Sequence, residues 1–188
     1  MADLKLAEPP RRAQLIEQIR VRIGEVVPAF QLIAENVLGA DASIDLVGVE
    51  PTGRAVLVLV GAEGDDLELI ARAVAQRAWL EPRIRDWIQL APNIGLRPGA
   101  GARSVLVCPS FRRESEAAAA ALGEPVVSLV RYRCLSNGSS LEVLLEPAGE
   151  VPAGRALPRG EPTALPRFRT GLSREDLGLS AEEYRAFE

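Results

Sequence analysis

The 188-residue chain is predicted to be an α/β protein with a mixed central sheet flanked by helices on both faces. Three observations point there. Apolar runs of strand length recur at 30–37, 44–50, 54–61, 104–108, 126–135 and 141–146, with helical periodicities between them. The elements follow the order α-β-β-β-α-α-β-α-β-β. A three-strand meander followed by a crossover helix into another strand needs both antiparallel and parallel pairing.

Residues 1–8 are expected to be a loose leader. Pro9 and Pro10 open a helix running to about Val27, since proline suits the first helical turn. Leu15, Ile19, Ile23 and Val26 recur at helical spacing, with Ile16 and Val27 widening the stripe. Pro28 ends the helix because its ring cannot continue the ladder. FQLIAENV, IDLVGVE and RAVLVLVG are three strands, the last two joined by the turn-forming Pro51-Thr52-Gly53. Ala55 to Val60 is apolar on both faces, as in a central strand.

Asp65 or Asp66 caps a helix to about Leu80, with Leu67, Ile70, Ala71, Val74 and Ala78 expected on its buried face. A second helix spans 83–90, with Trp87 packed. The loop PNIGLRPGAGAR leads into SVLVC, and an alanine-rich helix follows from Glu114 to Leu122. VVSLVRYRCL and LEVLLE form a C-terminal β-hairpin about Ser136-Asn137-Gly138-Ser139. The core domain is thus 9–146. Composition changes at Pro147: prolines 147, 152, 158, 162 and 166 make 147–169 a linker or strap. Residues 170–188 read as a short acidic helical tail, opened by the capping box Ser180-Ala181-Glu182-Glu183.

Composition narrows function mostly by what is missing. There is no histidine, which removes imidazole as base, proton shuttle or metal ligand. Lys5 is the one lysine; the other 21 positive charges are arginines, which do not act as bases near neutral pH. A net charge of -4 gives no general attraction to phosphate backbones. No apolar run reaches the ~18–20 residues of a membrane span, and the N-terminus lacks the apolar stretch of a signal peptide. Cys108 and Cys134 sit in apolar strands and read as reduced thiols of a cytoplasmic protein. They lack a CxxC spacing and a histidine partner, so neither zinc nor thiol catalysis is expected.

Residues 12–146 resemble the PD-(D/E)xK, or restriction-endonuclease-like, nuclease superfamily, in particular its RecB-like and DNA-repair branch. The resemblance rests on IDLVGV after AENV, the hairpin PTGR and the apolar strand beyond it. It continues through a helix ending AVAQRAWL and the strands SVLVCPSF and VVSLVRYR. It implies an αβββαβ core with an Asp on the second strand, a Glu-x-Lys on the third and often a Gln on the next helix. Two such carboxylates hold Mg²⁺, which polarises the phosphate and activates water, while the lysine stabilises developing charge. Residues two apart on a strand share a face, which the resemblance turns toward the Asp.

Carried over, the resemblance places the first carboxylate at Asp45, an upstream acid at Glu35 and the helix glutamine at Gln76. The Glu-x-Lys falls on Leu59-Val60-Gly61, so Leu59 and Gly61 carry neither group. Glu63, Asp65 and Glu68 lie just beyond and are candidate migrated acids; Arg72, one helical turn beyond Glu68, could supply positive charge but no lysine. Asp45 and Glu35 are therefore read either as vestigial metal positions or as ordinary hydrogen-bonded or solvated carboxylates. Gln76 is read either as vestigial or as a helix–sheet polar contact.

Other signals have plain alternatives as well. Arg112, Arg113, Arg131 and Arg133 are either a basic patch or salt-bridged surface. The glycine-rich loop 97–103 precedes a strand instead of a helix N-terminus, so it reads as a connection. Leu177, Leu179, Tyr184 and Phe187 give the tail an apolar side that either clamps its own core or docks in a partner's groove. The resulting reading is a catalytically inactive nuclease-fold protein, an interaction or scaffolding subunit of the bacterial cytoplasm. Its expected partner is another protein or a second copy, with no membrane, small-molecule cofactor or metal. Two alternatives stay open: a non-catalytic binder of DNA ends or branched nucleic acid, and a Mg²⁺- or Mn²⁺-dependent endonuclease using the migrated acids.

Overall fold

The computed structural model describes residues 5–148, apart from 40, 124–125, 137 and 139–140. Most of the expected strap at 147–169, and the whole tail with Leu177, Leu179, Tyr184 and Phe187, lie outside the described residues. The described elements are β1 (Lys5–Leu6), α1 (Arg12–Arg22), β2 (Gln31–Leu38), β3 (Ser43–Val49), β4 (Ala55–Val60) and α2 (Asp66–Leu80). They continue with α3 (Ile84–Leu90), β5 (Ala102–Cys108), α4 (Arg113–Leu122), β6 (Val127–Ser136) and β7 (Leu141–Ala148).

The seven described strands form one mixed sheet in the order β1-β6-β5-β4-β3-β2, with β7 on β6. β2, β3 and β4 are an antiparallel meander; β5 and β6 then run parallel to β4. Both β1 and β7 pair with Leu135 and Ser136 of β6, so they occupy its two sides, and β1 extends the line of β5. All six residues of β4 are buried, as expected of a strand apolar on both faces. One core lies under α2, α3 and α4 and includes Leu57, Leu59, Leu69 and Ala73; the other lies under α1 and includes Leu15, Ile19, Val56 and Val58. Each such buried Leu or Val contributes ~1.5–3 kcal/mol. Among turns, Gly53 closes the β3–β4 hairpin at a φ of 84°, its N–H donating to the Glu50 carbonyl at 2.8 Å.

Three local expectations are corrected. Residues 5–6, assigned to the loose leader, form β1, because β6 outruns β5 and leaves backbone groups that Lys5–Leu6 satisfy. The first helix begins only at Arg12 and gives way at Ile23–Glu25 to a 3-10 turn; Val27, not Val26, is fully buried there. The third correction is the largest. α2 turns Leu69, Ile70, Ala73, Gln76 and Leu80 inward, while Leu67, Ala71, Val74 and Ala78 face outward. The helix carries two apolar stripes, and periodicity alone does not rank them. Asp66, buried at the start of α2, lies on the stripe that turns in.

Candidate functional site

Asp45 lies near the start of β3 and is 5% exposed. Its two oxygens are taken by different elements. Arg12, in the first turn of α1, donates from Nη2 to Oδ1 at 2.7 Å and from Nη1 to the Val60 carbonyl at 2.9 Å. The Val60 N–H donates to Oδ2 at 2.8 Å. The β3–β4 ladder pairs Leu46–Val49 with Ala55–Val58, and beyond it the Asp45 side chain receives an N–H that a strand carbonyl would otherwise take. Strand alternation also breaks here: Ile44 and Val47 enter the core under α2, while Leu46 enters the core under α1. Charge-assisted bonds of this kind are what allow a carboxylate to be buried.

This break decides the geometry of the positions matched by the resemblance. Leu59 is fully buried in the core under α2, whereas Asp45 reaches Arg12 of α1 on the opposite face. The expectation that the third-strand positions point toward the Asp is therefore corrected. Gly61 has no space for a side chain. A Cβ there would sit 2.7 Å from Cys108 Sγ, 3.2 Å from Leu69 Cδ2 and 3.3 Å from Asp65 Cβ. Burial first, then the charges of Asp66 and Asp65, pushes the Cys108 thiol up to about 12, and burial also raises Cys134.

Glu35 and Gln76 do not join Asp45. Glu35 is half-exposed on β2 and pairs with Arg20 Nε at 3.6 Å. Arg20 lies about 12 Å along α1 from Arg12 at 1.5 Å per residue. Gln76 is buried on α2 and donates from Nε2 to the Ala42 carbonyl at 2.9 Å. Its Oε1 would lie 1.6 Å from a Cβ at position 39, so only glycine admits the close approach. With Arg72, which donates to the Ser43 carbonyl at 3.3 Å, it pins the β2–β3 connection.

The candidate migrated acids follow β4 without converging. Glu63 accepts from Ser110 Oγ at 2.6 Å. Asp65, at the N-cap of α2, bonds back to the Ala62 N–H at 2.9 Å and not into the helix. Glu68 is exposed on α2. The acid that matters locally is Asp66, which the sequence marked only as a possible helix cap. It is 1% exposed and accepts from Ser115 Oγ at 2.5 Å, the Arg112 N–H at 2.8 Å and Arg112 Nε at 2.9 Å. It thereby caps α4 from α2. Burial pushes its carboxyl up, but the bonds from Ser115 and Arg112 and the guanidinium charge outweigh this and hold it well below the usual 3.8. An acid at a helix start was visible in the sequence; a donor set 46 and 49 residues away was not.

Of the arginines singled out, Arg112 pairs with Asp66 at 2.9 Å, Arg131 with Glu116 at 3.1 Å and Arg133 with Glu146 at 3.6 Å, while Arg113 is exposed. An open cleft of about 660 Å³ lies elsewhere, between Val26–Val27 and Ala119–Ala120, and none of the predicted site residues lines it. Among the described residues, no three His, Cys, Asp or Glu side chains come together to hold a metal ion. The residues at the positions matched by the resemblance do not fit Mg²⁺ either. Asp45 has both oxygens engaged, and Leu59 and Gly61 offer no ligand atom.

No family model and no curated protein matches the sequence. Among solved structures, the chain is similar to a repair endonuclease from Pyrococcus abyssi, at 15% identity and a TM-score of 0.46, over 65% of this chain and 47% of that one. It is similar to an EndoMS complex with double-stranded DNA at 14% identity and a TM-score of 0.40, over 65% and 45% of the two chains. A third is Pyrococcus furiosus SfsA with Ca²⁺, at 12% identity and a TM-score of 0.35, over 72% and 61%. The chain spans about half the length of the two endonucleases.

Proposed function

We propose that this chain is a nuclease-fold protein without nuclease chemistry, which acts by binding as an interaction or scaffolding subunit. One observation carries the reading. At the end of β4 and just past it, where the reaction needs a carboxylate and an ammonium group, Leu59 is core and Gly61 is sealed by Cys108 and Leu69. The remaining carboxylate, Asp45, faces away from them and is neutralised by Arg12. A cation at Asp45 would have to compete with Arg12 or the Val60 N–H for a carboxylate oxygen, beside the Arg12 charge. The unpaired buried thiols of Cys108 and Cys134 support a reducing, cytoplasmic setting. Protein binding is preferred to nucleic-acid binding because Arg112, Arg131 and Arg133 are each paired with a carboxylate.

Calorimetric titration with Mg²⁺ and Mn²⁺, beside a cleavage assay on single- and double-stranded DNA, tests the reading. The expected result is no binding heat and no cleavage. A micromolar isotherm that disappears in Asp45→Ala, or Mn²⁺-dependent cutting, overturns it.

A further inference from the structure

The outer side of α2 is apolar although it faces outward. Leu67, Ala71, Val74, Ala75 and Ala78 are all exposed, Leu67 at 45% and Val74 at 43%. At ~100° per residue they fall in one stripe ~100° wide, opposite the stripe that enters the core. A helix apolar on both sides is ordinarily covered on both. α4, packed beside α2, also turns Ala117 and Ala121 outward.

We propose that the stripe is a self-association surface, occupied by α2 of a second copy running antiparallel to the first. Two features favour a second copy. The first is size. About a two-fold axis midway along the stripe, Leu67 falls opposite Ala78, and Val74 opposite Ala71. Each larger side chain thus meets an alanine, and the same patch serves both partners. The second is charge. The exposed Glu63, Asp65 and Glu68, with the buried Asp66, outnumber Arg112 at the N-terminal end of α2, whereas Arg77, Arg83 and Arg85 outnumber Glu81 and Asp86 at and beyond its C-terminal end. Antiparallel alignment sets each acidic end against the other's basic end and opposes the helix dipoles favourably; parallel alignment sets like against like. From Leu67 to Ala78 the stripe is about 16 Å long. One helix pair of that length buries less than the ~800 Å² per partner of a tight interface, so a dimer that dissociates at micromolar concentration is expected.

The inference supplies a partner for the binding role proposed above and rests on that reading for its purpose. Sedimentation reads the dimer and metal calorimetry reads the chemistry, so either can fail alone. Sedimentation velocity of the full chain at low salt, from roughly 1 to 100 µM, brackets such a dimer. The expected result is a concentration-dependent shift from monomer to dimer. Val74→Glu raises the dissociation constant at least about tenfold through a like-charge pair near the axis. Leu144→Glu, at a similarly exposed leucine on β7, leaves it unchanged. Ala75→Glu serves if Val74→Glu does not fold, as read by circular dichroism. A monomer at every concentration overturns the proposal and assigns the stripe to another occupant. So does a dimer indifferent to both α2 variants, or one weakened equally by Leu144→Glu.

Discussion

Asp45 and Asp66 are the two buried carboxylates among the described residues, and they are engaged from opposite faces of one sheet. Each is held by one arginine and one backbone N–H. Asp45 ties together neighbours of the meander, the start of α1 and the end of β4. Asp66 ties the start of α2 to the start of α4, across the β5 strand between them, and gains a third donor in Ser115. What separates a structural carboxylate from a metal ligand is whether the protein itself fills its oxygens. At both positions it does.

The comparison can be broken in three ways. Placing the Glu-x-Lys of the resemblance on this chain by Leu59→Glu with Gly61→Lys should have the largest effect. It buries two charges on the α2 side, away from Asp45 and against Cys108 and Leu69, at a cost of several kcal/mol out of a typical total of ~5–15. Loss of the cooperative thermal transition is expected; a folded variant with Mn²⁺-dependent cleavage would mean that the two faces do communicate.

Next, Asp66→Ala leaves the Arg112 N–H and Ser115 hydroxyl without their acceptor and should cost about 3–5 kcal/mol in urea unfolding. Asp45→Ala, with fewer donors, should cost about 2–3 kcal/mol. The reverse order would show that the meander, not the helix layer, depends more on its carboxylate.

The smallest effect is on pH dependence. The folded Asp66 carboxyl lies below its unfolded value, so its stabilisation is complete above about pH 4 and is lost as the pH falls through the folded value. Asp66→Asn should therefore lose stability less steeply than the parent between about pH 4 and pH 2, as followed by calorimetry. Equal slopes would remove Asp66 from the acid response.

Much of the fold was legible in short stretches. The six apolar residues of β4 announced a central strand, Gly53 announced the hairpin, and the order of elements announced a mixed sheet. The candidate site was legible only as residue types. Leu59 and Gly61 already excluded a ligand and a lysine, yet nothing local said that Asp45 would turn to the other face or that Arg12 would reach in to meet it.

The amino-acid order alone thus determined which segments are strands and helices, and that positions 59 and 61 offer no carboxylate or ammonium group, because periodicity, turn chemistry and side-chain identity are properties of neighbouring residues. Tertiary structure alone decided which stripe of α2 turns inward, which way Asp45 points, and that Asp66 caps α4. Those outcomes depend on partners 33 to 49 residues away, and a buried oxygen or an apolar face is settled only by what the folded chain brings against it.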